Sequence, residues 1–363
     1  MVVMSNPAHS ELFPTMVIGS LPRPVWVQHV IRDRLNGRLS DSEANHILDD
    51  AVPLAIQLQE MAGLDYVSDG EWRRDNYARV IADNVYGFKR EEVTRGPLTL
   101  NAFVVDKLES VRSIAESEAK YLVSHTDSKT LVALPSPCTI GDLMWHPYHS
   151  KKAYSTREEF VEACVPIIRS ELISLSHLGI DAIQLDEPLL PRIAHPDMYG
   201  YKDVTELKSA VELSVRTINE VTKGLSESFI TVHLCHSHGD EYKVVPGTEK
   251  LIMSAVKRMK VDRFAMEFNS PVGTELQALS DFPNDKLLGI GVIEPKVAKV
   301  EKPGSIVERA EKAFQFVDKE KIGLNPDCGF ATSAMGSGNL DNAYRKLSVM
   351  VEGAKMLRNT YQI

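Results

Sequence analysis

Short apolar runs rich in β-branched residues alternate along the chain with longer amphipathic segments. Eight runs have the length and composition of buried strands, at residues 16–20, 66–71, 130–136, 182–187, 230–235, 264–269, 287–294 and 322–328. Apolar residues recur at helical spacing between most of them, at residues 42–62, 157–178, 208–223, 248–260, 306–317 and 340–358. Alternating β and α elements with eight strands predict an α/β fold of the (β/α)8 TIM-barrel class.

One stretch interrupts this alternation. Residues 86–105 have the pattern of a β-hairpin-like excursion between the second and third barrel strands. No linker rich in Pro, Gly or Ser and no internal repeat divides the chain. Barrels of this class are often longer than ordinary domains, so we expect residues 1–363 to form a single catalytic domain.

Composition limits the kinds of partner and the cellular compartment that we expect for the protein. The chain has 41 Lys and Arg against 50 Asp and Glu, and its net charge of −9 argues against nucleic acid or an anionic membrane as partner. It has no apolar run near the roughly 20 residues of a membrane span and no secretory signal. Four cysteines in a chain of this size indicate the reducing cytoplasm. We expect Cys138 and Cys164 to be buried structural residues.

Polar and reactive side chains collect at the ends of the predicted strands. They are Ser20, Glu71, Ser136, Asp186, Glu187, His233, Cys235, Glu267, Glu294 and Cys328. In TIM barrels the carboxyl ends of the strands build the active site. This distribution therefore predicts an enzyme with its active site at that face.

One imidazole, one carboxylate and two thiols within this set suit a metal. His233 and Cys235 are two residues apart on one strand and should share a face. Glu267 and Cys328 end two later strands, and the four together suit tetrahedral zinc. The alternatives are a core histidine with buried apolar cysteines, or a Cys235–Cys328 disulfide. The neighbouring His236 and His238 are expected to be loop residues.

Six motifs resemble those of a known enzyme family. They are IGSLPRP, SDGEWRRDNY, QLDEPLL, HLC, EFNSP and NPDCGF. With them, nearly all of the chain resembles the catalytic, C-terminal zinc barrel of the cobalamin-independent methionine synthase family. The resemblance implies a (β/α)8 barrel whose Zn²⁺ is held by His233, Cys235, Glu267 and Cys328.

The same resemblance implies a homocysteine site. The turn formed by Ile18, Gly19 and Ser20 would hold the substrate carboxylate, and Glu71 and Asp186 would hold its ammonium group. The alternative for Glu71 is an ion pair with Arg73 or Arg74, and the alternative for Asp186 is a strand-end cap. Arg23, in the first motif, is expected to be solvated or ion-paired.

Two departures from the family pattern bear on the methyl donor. The long family members carry an N-terminal folate-binding barrel that is absent from this sequence. The donor is therefore methyltetrahydrofolate, a methylated corrinoid protein or another small methyl compound. The family often has an Asp-Ile-His triplet after the seventh strand, whose His is the acid/base group. Here Glu294 falls near that Asp and Lys296 falls in place of that His. Glu294 is the candidate acid/base residue, with a structural ion pair as its alternative.

The resemblance and the residues together predict a zinc-dependent S-methyltransferase that makes methionine from homocysteine. A related thiol alkyltransferase with another acceptor, such as one that joins epoxides to coenzyme M, is the first alternative. A decarboxylase of the porphyrinogen type, on the same barrel superfamily, is a more distant alternative. A binding protein with a closed, structural zinc site is the non-enzymatic alternative.

Overall fold

Seven parallel strands form the central sheet. A computed structural model describes residues 11–95, 98–192, 203–225, 228–235, 248–268, 276–331, 333, 335 and 338–361. Its strands are β1 (Tyr66–Val67), β2 (Val85–Lys89), β3 (Val93–Arg95), β4 (Leu98–Leu100), β5 (Phe103–Ser110), β6 (Lys129–Pro135), β7 (Ala182–Asp186), β8 (Phe229–Leu234), β9 (Arg263–Met266), β10 (Leu287–Ile293) and β11 (Ile322–Pro326). The parallel sheet has the order β1-β6-β7-β8-β9-β10-β11, which is the order along the chain that a barrel requires.

Thr15 and Met16 close the sheet into a barrel. Thr15 pairs in parallel with Leu324 of β11, and Met16 pairs in parallel with Tyr66 of β1. The Met16 N–H donates to the Leu324 carbonyl at 3.1 Å, and the Tyr66 N–H donates to the Thr15 carbonyl at 3.2 Å. Thr15 and Met16 therefore occupy the first of the eight strand positions, at the start of the strand predicted at residues 16–20. The predicted (β/α)8 barrel is confirmed.

Helices surround the barrel. They cover Val25–Leu35, Asp41–Ala62, Val80–Asn84, Glu116–Ser124, Pro137–Met144, Arg157–His177, Leu189–Arg192, Val204–Val221, Thr248–Arg258, Pro303–Ala313 and Leu340–Tyr361, and 3₁₀ turns cover Leu276–Asp281 and Lys319–Lys321. All six predicted helices are among them. A capping box of Ser40 and Glu43 begins Asp41–Ala62, and Gly63 ends it in the left-handed conformation.

Several shorter helices were not predicted from the sequence. Val25–Leu35 buries Val27, Val30 and Ile31 against the core. Three buried positions give too short a periodic signal to separate a helix from a loop. The position of this helix matters because it directly follows the motif that contains the Ile18, Gly19 and Ser20 turn.

The excursion between the second and third barrel strands consists of two antiparallel pairs. β2 pairs with β5, and β3 pairs with β4. The Leu108 N–H donates to the Tyr154 hydroxyl at 2.8 Å, and His146 Nε2 lies 3.1 Å from the Thr94 carbonyl. The predicted β excursion is confirmed, and it packs on the chain that follows Pro137–Met144.

The interior contains the cysteines as free thiols. Cys138 and Cys164 are fully buried, as predicted. Cys235 and Cys328 form no disulfide, so the disulfide alternative for this pair is wrong. In the described part of the chain no helix combines the length and the apolarity that crossing a bilayer requires.

Candidate metal and substrate site

Three side chains of metal-binding type converge where two barrel strands end. His233 is the penultimate residue of β8 and Cys235 directly follows that strand. Cys328 comes two residues after the end of β11. The ligand atoms of the three residues lie within 4.8 Å of one another, and all three residues are buried. His236 and His238 lie outside the described residues.

The donor set and its spacing fit zinc. Two sulfur ligands about 2.3 Å from a tetrahedral Zn²⁺ lie about 3.8 Å apart, and the Cys235 and Cys328 Sγ atoms are 3.7 Å apart. His233 Nε2 is buried without a hydrogen-bond partner among the described residues. An unpaired buried nitrogen is unfavourable, and a metal ion bound between these side chains would satisfy it.

Asp186 fixes the orientation of the His233 ring. Its Oδ1 atom accepts hydrogen bonds from His233 Nδ1 and Gln184 Nε2, each at 2.9 Å. Burial lowers the pKa of His233, but the hydrogen bond and charge of Asp186, together with smaller effects of Cys328 and the Asp327 backbone, raise it overall. With the proton on Nδ1, the Nε2 lone pair is available to a metal. Both of these hydrogen bonds go to Oδ1, which leaves Asp186 Oδ2 available for a further contact.

Glu267 lies on the neighbouring strand end. It directly follows β9 and is fully buried, but its carboxylate lies outside the group of atoms within 4.8 Å of one another. Its role as a fourth ligand stays a prediction. Residues 269–271, which complete its motif, lie outside the described residues.

Asp327 organises the same strand ends, and sequence reasoning missed it. Its Oδ1 accepts from the Phe268 N–H at 2.9 Å, and its own N–H donates to the Ile293 carbonyl at 2.8 Å. These contacts tie together the chain after β9, β10 and β11. The only signal in the sequence was the position of Asp327 directly before Cys328.

Glu71 is a buried carboxylate that forms a long ion pair with Arg74, which was one of the alternatives predicted for it. Its φ of +58° is in the left-handed region, which is uncommon for residues other than glycine and often marks a functional site. Oε1 is 3.7 Å from Arg74 Nη1, and Oε2 has no hydrogen-bond partner among the described residues. Arg74 is bound more closely by Glu118, with Nη2 and Oε2 2.7 Å apart. Burial raises the pKa of Glu71 to about 7, although Arg74 opposes the shift.

The Ile18, Gly19 and Ser20 turn lies against this carboxylate. Gly19 has a φ of +152°, and a Cβ at this position would lie 2.6 Å from Glu71 Oε1. Only glycine therefore allows the approach. The Ile18 carbonyl accepts from Gln184 Nε2 at 2.5 Å, which links the turn to the side chain that also holds Asp186.

Ser20 connects the turn to the chain around Cys328. The Ser20 carbonyl accepts from the Phe330 N–H at 3.0 Å. A Cβ at Gly329 would collide with the Ser20 hydroxyl, so the two segments touch there. The residues predicted to bind the substrate therefore lie beside the residues predicted to bind the metal.

Arg23 joins the chain around Glu71 to the chain that follows Cys328, and the prediction made for Arg23 from the sequence was wrong. Instead of being solvated or ion-paired it is 3% exposed, and its guanidinium donates to backbone carbonyls. These are the carbonyls of Glu71 at 2.5 Å, Arg74 at 3.0 Å, Ala331 at 3.1 Å and Ser333 at 3.4 Å. The partners are distant in sequence, so a local pattern could not identify them.

Replacing Arg23 with methionine is expected to lower the free energy of unfolding by about 3 kcal/mol, because several buried carbonyls lose their donor. Urea denaturation monitored by fluorescence measures the change. The control is Arg38→Met, since the Arg38 side chain is 69% exposed and contacts Asp33. The free energy of unfolding of Arg38→Met should fall by less than about 0.5 kcal/mol. Equal urea midpoints for the two variants would contradict the structural role of Arg23.

Glu294 and Lys296 lie just beyond β10. Glu294 is partly exposed, and its Oε1 accepts from the Lys296 N–H at 3.0 Å. The Lys296 ammonium donates to the Gly329 and Phe330 carbonyls at 3.0 and 3.2 Å. The structure thus places Lys296 against the segment that follows Cys328. The acid/base role of Glu294 stays a prediction.

Comparison of sequences identifies a matching family model. Residues 13–356 match the model described as cobalamin-independent synthase, catalytic domain. The chain is also 29% identical over 356 residues to a protein named methionine synthase from Saccharolobus solfataricus. That alignment covers 96% of this chain and 95% of the relative.

Solved structures share the barrel. A B12-independent methionine synthase from a Shewanella species, in complex with selenomethionine, matches with a TM-score of 0.78 and 22% identity, over 96% of this chain and 99% of that one. A methyltransferase from Methanosarcina mazei matches with a TM-score of 0.56 and 15% identity, over 96% of this chain and 94% of that one. At these identities the two likenesses support the fold.

Proposed function

This chain belongs to the cobalamin-independent methionine synthase family and is a methyltransferase, and from this premise we propose that it methylates the sulfur of homocysteine to give methionine, with zinc as cofactor. The proposal rests on the relative position of two groups of side chains. The group of His233, Cys235 and Cys328 lies at the same end of the barrel as the incompletely paired carboxylate of Glu71. A metal-bound thiol and a carboxylate-bound ammonium are the two interactions that homocysteine can make together.

His233, Cys235 and Cys328 would hold the zinc, with Glu267 as the proposed fourth ligand. When bound, zinc lowers the pKa of a coordinating thiol and so supplies a thiolate near neutral pH. Asp186 keeps the His233 proton on Nδ1 and so leaves Nε2 free for the metal. A carboxylate is a more readily displaced zinc ligand than a thiolate, which would leave a position for substrate.

Glu71 and Asp186 would hold the ammonium group of the substrate. The Glu71 carboxylate is buried, its pKa is raised to about 7, and its ionised form gains a partner when a cation binds. The backbone N–H groups of the Ile18, Gly19 and Ser20 turn and the Ser20 hydroxyl would hold the carboxylate. These contacts fix the sulfur relative to the donor methyl group, which is the main contribution of positioning to catalysis.

Methyl transfer then needs little further chemistry from the chain. The sulfur–methyl bond forms as the bond between methyl and its donor breaks. A folate donor leaves as an amine that takes up a proton, and Glu294 is the proposed source of that proton. A methylated corrinoid leaves without needing one. Both donors remain proposals.

The alternatives fit the site less well. Coenzyme M has no ammonium group, so it would leave the buried Glu71 Oε2 without a hydrogen-bond partner and the carboxylate with only its long ion pair to Arg74. A porphyrinogen-type decarboxylase needs arginines to hold substrate carboxylates. The two buried arginines that contact Glu71 are already engaged, Arg23 by carbonyls and Arg74 by Glu118.

We expect the protein to act in the cytoplasm. All four cysteines are free thiols, which suits a reducing compartment. The net charge of −9 gives no reason to propose a nucleic-acid or membrane partner.

Zinc-loaded protein titrated with homocysteine at pH 8 is expected to release most of one proton per site. At this pH Glu71 is already largely ionised, so the proton comes from the thiol. Calorimetry in two buffers of different ionisation enthalpy measures the release. Coenzyme M and cysteine, and zinc-free protein, should release much less. Absence of proton release with homocysteine would exclude homocysteine as the acceptor. Addition of methyltetrahydrofolate or a methylcorrinoid after the same titration identifies the donor that yields methionine.

A further inference from the structure

A second polar site lies at the opposite end of the barrel from the metal-binding group. A cavity of about 20 Å³ opens among the starts of the barrel strands. Residues that line it include Pro14, Tyr66, Phe229, Arg263 and Ile322. A volume of this size holds one water molecule or one monatomic ion. The proposed methyl transfer makes no use of this end of the barrel.

Arg263 is a fully buried cation that borders this cavity. Its side chain contacts two neutral acceptors, Met16 Sδ at 2.9 Å and Asn325 Oδ1 at 2.6 Å. Among the described residues, no carboxylate forms an ion pair with it. A Cβ at Gly289 would collide with the guanidinium, so the interior leaves room for this side chain where a larger residue would not. A buried charge is costly unless an opposite charge accompanies it.

Tyr66 supplies a second donor beside Arg263. It is 1% exposed, and its hydroxyl makes no hydrogen bond within the described part of the chain. Burial raises the pKa of Tyr66 to about 12, so its O–H keeps its proton. Burial lowers the pKa of Arg263 to about 10, which leaves the guanidinium charged at neutral pH. The cavity therefore has a positive charge and an O–H donor in its wall.

We propose that this cavity binds one small monovalent anion of the halide class, held by the Arg263 guanidinium and the Tyr66 hydroxyl. The anion supplies the negative charge that the chain does not. The two acidic residues that line the cavity do not replace it. The side chains of Glu11 and Glu320 are 59% and 61% exposed and lie near Arg358 and Lys319, respectively.

The small number of donors defines the ligand class. One guanidinium and one hydroxyl suit a compact ion such as chloride or bromide better than a tetrahedral oxyanion such as sulfate, whose four oxygens need more donors. An anion that binds the folded chain and not the unfolded one raises the melting temperature in a saturable way. This stabilisation does not depend on zinc or on methyl transfer.

Thermal unfolding of the full chain at constant ionic strength tests the proposal. Replacement of sodium gluconate by sodium chloride or bromide should raise Tm along a saturating curve, and sulfate should not produce that curve. Arg263→Met should abolish the saturable part. Tyr66→Phe, which keeps the ring, should weaken the apparent halide affinity several-fold and serves if Arg263→Met does not fold. Lys321→Met changes a cation at the cavity lining and should leave the curve unchanged.

Crystals soaked in bromide give a direct second readout. The expected result is an anomalous peak within about 3.5 Å of the Arg263 guanidinium, the range of a hydrogen-bonded ion. The proposal is overturned if no saturable halide effect is seen in the wild-type chain, or if Lys321→Met removes the effect while Tyr66→Phe keeps it. A cavity without bromide in the soaked crystals also overturns it.

Discussion

Cys235→Ser is expected to lose zinc and to lower kcat for methionine formation at least about 1,000-fold, which corresponds to roughly 4 kcal/mol of transition-state stabilisation. A serine hydroxyl is not ionised near neutral pH and is a poor zinc ligand beside His233 and Cys328. Without the metal, the acceptor thiol stays protonated and reacts slowly. Zinc content per chain, measured by mass spectrometry of the metal, and initial rates with homocysteine provide the two readouts.

Cys164→Ser is the matched control for this variant. Cys164 is also fully buried, but it lies in the helix Arg157–His177, away from the strand ends. The same chemical change should keep zinc and kcat within about twofold while it lowers stability by roughly 1–2 kcal/mol. If Cys235→Ser behaved like Cys164→Ser in zinc content and rate, the metal assignment would be wrong.

Glu71→Gln is expected to raise the KM for homocysteine about 100-fold, or roughly 2.7 kcal/mol, because the neutral amide cannot pair with the substrate ammonium. An analogue without the amino group, 4-mercaptobutyrate, should be a poor substrate for the wild-type chain. The variant should discriminate much less between the two thiols. Steady-state kinetics with both thiols measure this ratio.

The pH dependence of this variant gives a further readout. The pKa of Glu71 is raised to about 7 by burial, so its charged form is lost as the pH falls through that value. Homocysteine binding to the wild-type chain should weaken below pH 7, and Glu71→Gln should lack that part of the dependence. Glu187→Gln is the control, because the pKa of Glu187 is also about 7 and Ser136 already donates to its carboxylate at 2.7 Å. An unchanged homocysteine preference in Glu71→Gln would exclude the ammonium role.

The barrel and the metal-binding group were predictable because they follow from local periodicity. His233 and Cys235 share a face by the two-residue repeat of a strand, and the structure places both beside Cys328. The contact of Asp186 with His233 could also have been inferred. The two residues are direct partners in the pairing of β7 with β8, and sequential strands are neighbours in a barrel.

Other features depend on tertiary contacts that no local pattern contains. Arg23 acts through carbonyls 48 to 310 residues away. Glu71 has a left-handed backbone and its carboxylate lies against Gly19, and the type of residue at 71 gives no sign of either feature. Arg263 lies just outside the strand predicted at residues 264–269, and a charged residue at the start of a strand is usually predicted to be exposed. In the structure it is buried in the barrel interior.

His233, Cys235 and Cys328 are proposed to hold a zinc ion that would bind the homocysteine sulfur. X-ray absorption at the zinc edge of the metal-loaded chain tests it most directly. Two sulfur neighbours at about 2.3 Å and one imidazole are expected without substrate, and three sulfur neighbours are expected after homocysteine is added. A zinc environment without two sulfur atoms, or a sulfur count that homocysteine does not change, would contradict it.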